Sequence, residues 1–343
     1  MTRCTSLVVQ ACVLAMAIAV PLAAQEYEPP RTGDGRPDLQ GVWDFRTLTP
    51  LQRPESRGDQ AVLTPEEVAE LDGQSAERER AAFAPSDVRD APLPVGGNVG
   101  AYNQYWVDQG ASVVDGARTS LIVDPPSGRL PDLAPGVEMV TLSLGEDLPG
   151  ERPVRVRAAG IGAEHWEDRG LAERCLLGFN SGPPIVPAGY NQNIQIFQTP
   201  DHVVIMNEMV HDARIVPLDG RDHLPEEITQ WLGDSRGYWD GDVLVVESRN
   251  FTDKTASFNP SVAHSVGSGI TLRLTERFSR VGDDTLLYEY TVDDPATFTA
   301  PFTVSLPMKR GEPMYEYACH EGNYGLMNML AGARVQELGQ GGQ

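Results

Sequence analysis

Alternating apolar and polar residues mark short β-strands in the second half of the chain. Apolar side chains occupy every second position of residues 286–292 and share one face: Leu286, Tyr288, Tyr290 and Val292. The same period of two occurs at residues 272–278, where Leu272, Leu274 and Phe278 lie opposite Arg273, Thr275 and Arg277. Because a strand that buries one face has this pattern, both segments are predicted to line a core.

Further strand-like runs occur along the chain. With 270–280 and 285–292, the predicted strands are residues 40–45, 118–123, 137–144, 154–157, 193–198, 202–208, 213–218, 243–247, 301–307 and 314–319. Turn sequences separate several of them, among them Asp240-Gly241-Asp242. Many short strands joined by tight turns predict a mostly β chain, with an antiparallel sheet closed as a barrel or folded as a sandwich.

A few short helices are expected beside the strands. Thr64 is placed to cap a helix that has Pro65 at its first position and Glu67 at its third, and this helix is predicted to run to about Phe83. Another helix is predicted at 325–337. The expected organisation is an extended leader at 25–39, then a single barrel-like domain at 40–343 with a helical and loop insertion around 64–170.

The first 24 residues have the pattern of a secretory signal peptide. Arg3 precedes an almost uncharged apolar run over residues 7–22, and Ala23-Ala24 end it. The run is shorter than the about 20 residues that a membrane-spanning helix needs. We expect cleavage near Ala24 and a periplasmic or secreted protein; an uncleaved N-terminal anchor is the alternative.

Charge narrows the range of partners. The chain has 27 Lys+Arg against 49 Asp+Glu, a net charge of -22. This acidity argues against nucleic acid and anionic membranes, whose phosphates are bound by Lys and Arg. The expected partner is a small molecule or a saccharide, without membrane insertion, and the oligomeric state stays open.

Two cysteines remain after the signal peptide, which contains Cys4 and Cys12. Cys175 and Cys319 are separated by 144 residues. In an exported protein they are candidates for a disulfide. The alternative is a pair of buried thiols that pack as small apolar groups.

The first candidate for chemistry is the segment around His211. If one strand continued from 203 to 215, Asp212 and Arg214 would share a face with Glu208, and His211 would lie on the other. Charges this dense are costly to bury unless they are paired. We therefore interpret them as lining a polar cavity, against the alternative of a structural Asp–Arg pair.

The second candidate is His320-Glu321, where a predicted strand runs into a glycine turn. Histidine transfers protons near neutral pH, and a neighbouring carboxylate can orient it. The predicted catalytic set is thus His211, Asp212, Arg214, His320 and Glu321. The alternative is that Glu321 only satisfies the turn backbone.

Two aromatic-rich segments are candidates for substrate binding. In residues 231–242, Trp239 lies near Asp234 and Arg236, which suits a stacking platform for a sugar or an aromatic ligand. A structural ion pair is the alternative for Asp234 and Arg236. The other segment offers Tyr105 and Trp106 as an aromatic wall, with Arg118 to bind an anion.

No cofactor is expected. The chain has no P-loop or G-x-G-x-x-G motif and no C-x-x-C, which weighs against nucleotide and thioredoxin-like chemistry. A metal site built from Glu208, His211, His320 and Glu321 is the less favoured alternative, because the H-E-x-x-H spacing is absent.

Several sequence strings carry a family resemblance. Gly41-Val42-Trp43 is similar to the G-x-W that opens the first strand of lipocalin-like barrels. The longer strings are RTSLIVDPPSGRLP (118–131), ERCLLGFNSGPP (173–184), EMVHDARIVPLDGR (208–221), WLGDSRGYWDGDVLVVESRNF (231–251) and YEYACHEGNYGL (315–326). Together they resemble a large family of secreted proteins of unassigned function from acidobacteria and similar environmental bacteria. The resemblance implies a secreted protein with a lipocalin-like β-barrel, and residues 134–160 depart from it.

Two functions from different classes follow. The first is an exported acid/base enzyme, a lyase, isomerase or hydrolase, acting on a small amphipathic or carbohydrate-like substrate. It requires His211, Arg214 and His320 to converge in one pocket. The second is a non-catalytic lipocalin-like protein that binds a small molecule. An envelope scaffold protein is a third, less favoured interpretation.

Overall fold

The computed structural model describes residues 27–84, 107–108, 110–141, 165–261 and 264–340. The predicted signal peptide at 1–24 lies outside the described residues, as do Tyr105, Trp106 and the predicted strand at 154–157.

Short strands make up most of the regular structure. They are β1 (Gly41–Asp44), β2 (Ile122–Asp124), β3 (Met139–Thr141), β4 (Asn193–Gln198), β5 (His202–Asn207), β6 (Ala213–Pro217), β7 (Asp234–Asp240), β8 (Val243–Arg249), β9 (Phe258–Ser261), β10 (His264–Val266), β11 (Arg273–Gly282), β12 (Thr285–Asp293) and β13 (Phe302–Arg310). The α-helices of the described ranges are α1 (Pro65–Ala82) and α2 (Tyr324–Gln340).

One antiparallel sheet organises the fold. Its strand order is β6-β5-β4-β1-β13-β12-β11-β8-β7, and the end strands β6 and β7 lie against each other, so the sheet is a nearly closed barrel. β2 adds to β13, and β3, β10 and β9 form a separate three-stranded sheet. The prediction of a mostly β, antiparallel barrel-like fold with few helices is confirmed.

The barrel interior is packed with large side chains. The alternation predicted for β12 is confirmed, because Leu286, Tyr288, Tyr290 and Val292 are all buried. Leu272, Leu274 and Phe278 are buried as well, and the Phe278 and Tyr288 rings lie 4.8 Å apart. These residues belong to one continuous apolar cluster that fills the space between the strands.

The Gly41-Val42-Trp43 tripeptide has a packing role. Trp43 is fully buried and donates from Nε1 to the Leu39 carbonyl at 2.8 Å. The Arg310 guanidinium lies 4.1 Å from the centre of its ring. A side chain at Gly41 would collide with that guanidinium, and Gly41 has a φ of 125°. Glycine at 41 therefore makes room for the cation–π contact on Trp43.

The predicted helices are confirmed. In α1 the Thr64 hydroxyl accepts from the Glu67 amide, and the Glu67 carboxylate accepts from the Thr64 amide at 2.8 Å. These are the reciprocal bonds of a capping box. In the described part of the chain, neither helix combines the length and the apolar character needed to cross a membrane.

Some strand predictions differ from the structure. Residues 314–319 do not form a strand; Tyr317 and Cys319 pack instead on Cys175, Met209 and Val210, in a small cluster separate from the barrel core. The strands β7, β9 and β10 were not predicted. The sequence of β7 has no alternation of large apolar residues, because its inward positions include the small residues Ser235 and Gly237.

Candidate functional site

The segment around His211 is a turn rather than a continuous strand. β5 ends at Asn207 and β6 begins at Ala213, with a single helical turn at Met209–His211 between them. Val210 and His211 have left-handed φ angles of 61° and 46°. The expected strand from 203 to 215 is therefore wrong, because the chain reverses direction between β5 and β6.

Arg214 points into the barrel interior. Its side chain is 8% exposed, and it forms a two-pronged ion pair with Glu276 of β11, whose side chain is 0% exposed. The Nη2–Oε1 distance is 2.9 Å, and Nη1 donates to Oε2. Burial by itself lowers the pKa of the Arg214 guanidinium, but the charge and hydrogen bonds of Glu276 outweigh it and hold that pKa above its usual value.

A polar network surrounds this ion pair. The Tyr288 hydroxyl donates to Glu276 Oε1 at 2.8 Å and accepts from the Ile185 amide at 3.1 Å. Arg214 Nη1 lies 3.4 Å from Ser248 Oγ, which is 2.7 Å from Ser235 Oγ. Every member of the network lies inside the barrel and is buried. Arg214 and Glu276 are thus paired with each other inside the barrel, and Arg214 does not line a cleft open to a substrate.

The network also crosses the seam where the barrel closes. Arg214 belongs to β6, at one end of the sheet, and its partners lie on β8 and β11 near the other end. A side chain at Gly237 of β7 would lie 2.8 Å from both Val216 Cγ1 and Leu218 Cδ2. The glycine lets β7 approach β6, and the Arg214 ion pair joins the two ends of the sheet from inside.

The Tyr290 hydroxyl lies beside this network and has no hydrogen-bond partner among the described residues. Tyr290→Phe should therefore raise the free energy of unfolding by about 1 kcal/mol or more at neutral pH, because an unpaired buried hydroxyl is removed. Urea unfolding measures this. A loss of stability would show that the hydroxyl makes a stabilising contact.

The same variant should change the alkaline limit of stability. Burial, with Glu276 second, raises the pKa of Tyr290 far above 10.0, so the folded protein keeps this phenol neutral where the unfolded chain ionises it. Below pH 10 the phenol is neutral in both states, and the free energy of unfolding is not reduced by its ionisation. Above pH 10 the phenol ionises only in the unfolded chain, so the free energy of unfolding falls. Unfolding midpoints of Tyr290→Phe should fall less steeply than those of the wild type above pH 10.

The predicted catalytic histidines lie at the surface near the disulfide. Cys175 and Cys319 are bonded, with Cα atoms 5.8 Å apart, which confirms the predicted disulfide. His211 is exposed, and its Nδ1 lies 3.3 Å from the Tyr317 carbonyl. His320 and Glu321 are also exposed.

The structure does not bring His211, Arg214 and His320 together. The two histidines lie on the surface, whereas Arg214 is enclosed in the barrel with Glu276. Asp212 is half-buried in the turn that precedes β6. The convergence that the enzyme hypothesis required of these three side chains is not found, and their catalytic roles stay a prediction.

A histidine–carboxylate pair that the sequence did not indicate lies beside β7. Asp234 is 4% exposed, and its Oδ2 lies 2.8 Å from His223 Nδ1 and accepts from the Leu224 amide at 2.9 Å. Arg236 Nη1 lies 2.6 Å from Asp234 Oδ1. The His223 side chain is 13% exposed, so part of the ring reaches solvent. Asp234 and Arg236 were predicted as site residues, and His223 was missed because nothing periodic marks its loop.

The outer face of β7 carries exposed polar and aromatic side chains further along the strand from this pair. Tyr238 is 48% exposed, and its hydroxyl lies 3.5 Å from Glu247 of β8. Arg277 of β11 forms an ion pair with Asp240 at 3.1 Å. Arg236, Tyr238 and Asp240 alternate along β7 and therefore share this face.

Two predicted binding residues point elsewhere. Trp239 faces inward and packs against the barrel core, with the Arg36 guanidinium 5.8 Å from its ring centre. Arg118 donates from Nη2 to the Ser305 carbonyl at 2.7 Å. Burial lowers the pKa of Arg118, and Glu289 offsets part of this effect. Tyr238, rather than Trp239, is the ring available for stacking on this face.

Comparison with known proteins assigns neither a family nor a function to the chain. No protein-family model matches the chain, and no curated protein matches it. Within the described ranges, no three His, Cys, Asp or Glu side chains are grouped so that they could hold a metal ion. The resemblance to secreted bacterial proteins stays a prediction, and the chemistry rests on the geometry.

Proposed function

We propose that the protein is an exported enzyme that uses acid/base chemistry on a carbohydrate-like substrate, with His223 as the group that moves the proton. The observation that carries the proposal is the His223–Asp234 pair. A buried carboxylate holds Nδ1 of a partly exposed imidazole at 2.8 Å. An export signal over residues 1–24 and membership of a secreted bacterial family belong to the same proposal.

The His223–Asp234 pair suits proton transfer because the two nitrogens of the imidazole ring have different roles. When Nδ1–H donates to Asp234, Nε2 carries the lone pair and is the basic atom. The proton that Nε2 takes from the substrate makes an imidazolium, which the neighbouring carboxylate stabilises. The Leu224 amide and Arg236 also donate to Asp234, so the carboxylate has a defined orientation.

The side chains on the outer face of β7 and β8 are suited to binding a polyhydroxyl substrate. The exposed Tyr238 ring offers a flat apolar surface for a sugar ring, and Glu247 and Asp240 offer acceptors for its hydroxyl groups. Arg236 lies two residues from Tyr238 on the same side of the strand, between this ring and Asp234. Its charge suits the stabilisation of an anion that forms when His223 removes a proton.

The experiment compares variants on a panel of neutral and uronic-acid oligosaccharides. His223→Gln should lower kcat about 10²- to 10⁴-fold on the sugar that the wild type converts, as expected for loss of a general base. Tyr238→Ala should raise KM more than it lowers kcat, since it removes a binding contact. Product formation is followed by mass spectrometry.

His320→Ala is the matched control, since it removes a predicted catalytic histidine at the disulfide. It should leave kcat unchanged. If His320→Ala abolished turnover and His223→Gln did not, proton transfer would belong to the C-terminal segment. Absence of turnover on every sugar of the panel would contradict the proposed substrate class.

A further inference from the structure

The end of β8 places Arg249 beside the His223–Asp234 pair. Asp234 and Arg249 lie directly opposite each other in the β7–β8 ladder, so their side chains leave the same face of the sheet with Cβ atoms about 5 Å apart. Asn250, the next residue, donates from Nδ2 to the carbonyls of the two residues that follow His223, at 2.9 and 3.1 Å. The chain around Arg249 is thus fixed against the loop that carries His223.

The positive charge of Arg249 has no partner among the residues that the structure describes. No carboxylate or carbonyl of these residues accepts from its side chain, and its Nε is enclosed without an acceptor. The oxygens of Asp234 are already taken by His223, by the next amide of the loop and by Arg236. Arg249 is half-buried. Because a partly desolvated cation without a countercharge is costly, this position favours an incoming anion.

The other arginines of this face differ in their partners. Arg236 and Arg277 are each paired with a carboxylate of β7. Arg273 begins β11, one position beyond the last residue pair of the β8–β11 ladder, which puts it next to Arg249. Arg273 is exposed and pairs with no carboxylate in the described ranges, although Asp293 is its neighbour on β12. Two neighbouring guanidiniums thus lack a carboxylate partner there, in a chain whose net charge is -22.

The accessible part of Arg249 suits a carboxylate. Since Nε is enclosed, the edge formed by Nη1 and Nη2 is the part of the guanidinium that remains for a ligand. Two parallel donors on one edge match the two oxygens of a planar carboxylate, and such two-pronged pairs are strong and directional. Among carbohydrate-like molecules, uronic acids carry this group.

The spacing along β7 determines the minimum length of the ligand. Tyr238 lies four residues from Asp234 on the same face, a rise of about 13 Å. Arg249 is level with Asp234 across the ladder. A single sugar ring is shorter than this span, so only an oligosaccharide contacts the Tyr238 ring and Arg249 together.

We propose that Arg249 binds a carboxylate of the substrate, and that the substrate is a uronic-acid oligosaccharide. This inference rests on the proposed function and names the substrate class of the same site. Arg273 supplies a second positive charge, for the carboxylate of a neighbouring sugar unit. Arg249 is a binding residue, whereas His223 moves the proton.

Calorimetric binding tests the proposal without requiring turnover. The ligands are the trimers of galacturonate, glucuronate and mannuronate, each compared with its methyl ester, which keeps the sugar chain and removes the charge. The protein carries His223→Gln to block conversion. At least one trimer should bind, and its ester should bind at least 10-fold more weakly. Arg249→Gln should weaken binding of that acid about 10- to 100-fold and leave binding of the ester unchanged.

Arg129→Gln is the matched control. Arg129 is also half-buried and has no side-chain partner in the described part of the chain, but it follows β2, which pairs with β13 and not with β7 or β8. This variant removes the same charge and should leave both affinities unchanged. If Arg249→Gln does not fold, the comparison of acid and ester decides, together with Arg273→Gln, which should weaken binding of the acid only.

Equal affinities for every acid and its ester, or equal losses in Arg249→Gln and Arg129→Gln, overturn the proposal. Acid preference and turnover are separate results. If the acid is preferred but His223→Gln keeps its turnover, the carboxylate site stands and His223 is not the base. If His223→Gln loses turnover on a neutral sugar and no acid binds better than its ester, the enzyme stands and Arg249 does not bind a carboxylate.

Discussion

Replacing Glu276 by glutamine should lower the free energy of unfolding by about 3–5 kcal/mol, because the buried Arg214 guanidinium loses its only countercharge within the described network. Both side chains are enclosed, at 8% and 0% exposure, so water cannot take over the role of the carboxylate. Tyr288 would also lose the charged acceptor of its hydroxyl. Urea unfolding followed by circular dichroism measures the loss.

A double variant distinguishes two contributions to the free energy of unfolding: the cost of leaving one buried charge unpaired, and the net contribution of the ion pair itself. Arg214→Met combined with Glu276→Leu removes both charges and should recover most of the stability, because apolar side chains of similar size often replace a buried ion pair at little cost. Asp242→Asn is the surface control: its partner Arg31 is about half exposed, and the change in stability should be small. A loss below about 1 kcal/mol in Glu276→Gln would contradict the role assigned to the pair.

Removing the disulfide should have an effect on stability of similar size. In the chain-entropy description, a bond that closes 144 residues restricts the unfolded chain by about 4–5 kcal/mol. The double variant Cys175→Ser and Cys319→Ser should therefore unfold at a markedly lower urea concentration. Wild-type protein in excess reductant should shift by a similar amount, and the reductant should not shift the double variant.

The loss should begin in the C-terminal segment. Beyond β13 this segment is held by the small cluster around Cys175 and by the Asn323 side chain, which donates to the Glu173 carbonyl at 2.7 Å. Limited proteolysis of the double variant should cut residues 311–340 first and leave the barrel intact. Simultaneous cleavage of barrel strands would contradict this order of events.

Local features of the fold were predicted well because neighbouring residues determine them. The Thr64 capping box, the Asp240-Gly241-Asp242 turn and the inward face of β12 each depend on residues a few positions apart. The strand at 314–319 was predicted wrongly because apolar residues there pack at the disulfide, not in the sheet. An apolar pattern shows that side chains are buried, but not against which partner.

The candidate site was predicted only in part. Asp234 and Arg236 were identified from an aromatic-rich segment, but His223 lies in a polar loop without a pattern. Glu276 shares the inward face of Leu274 and Phe278, and a lone carboxylate on such a face signals a buried partner. That signal was present in the sequence, although it did not identify Arg214.

The sequence by itself determined the mostly β class, the helix caps, the inward faces of β11 and β12 and the two cysteines available for a bond. Only the tertiary structure decided that Arg214 forms an internal ion pair instead of lining a cavity, and that His223 contacts Asp234. The physical reason is distance along the chain. Arg214 and Glu276 lie 62 positions apart, and the curvature that makes them neighbours arises from the closure of the whole sheet.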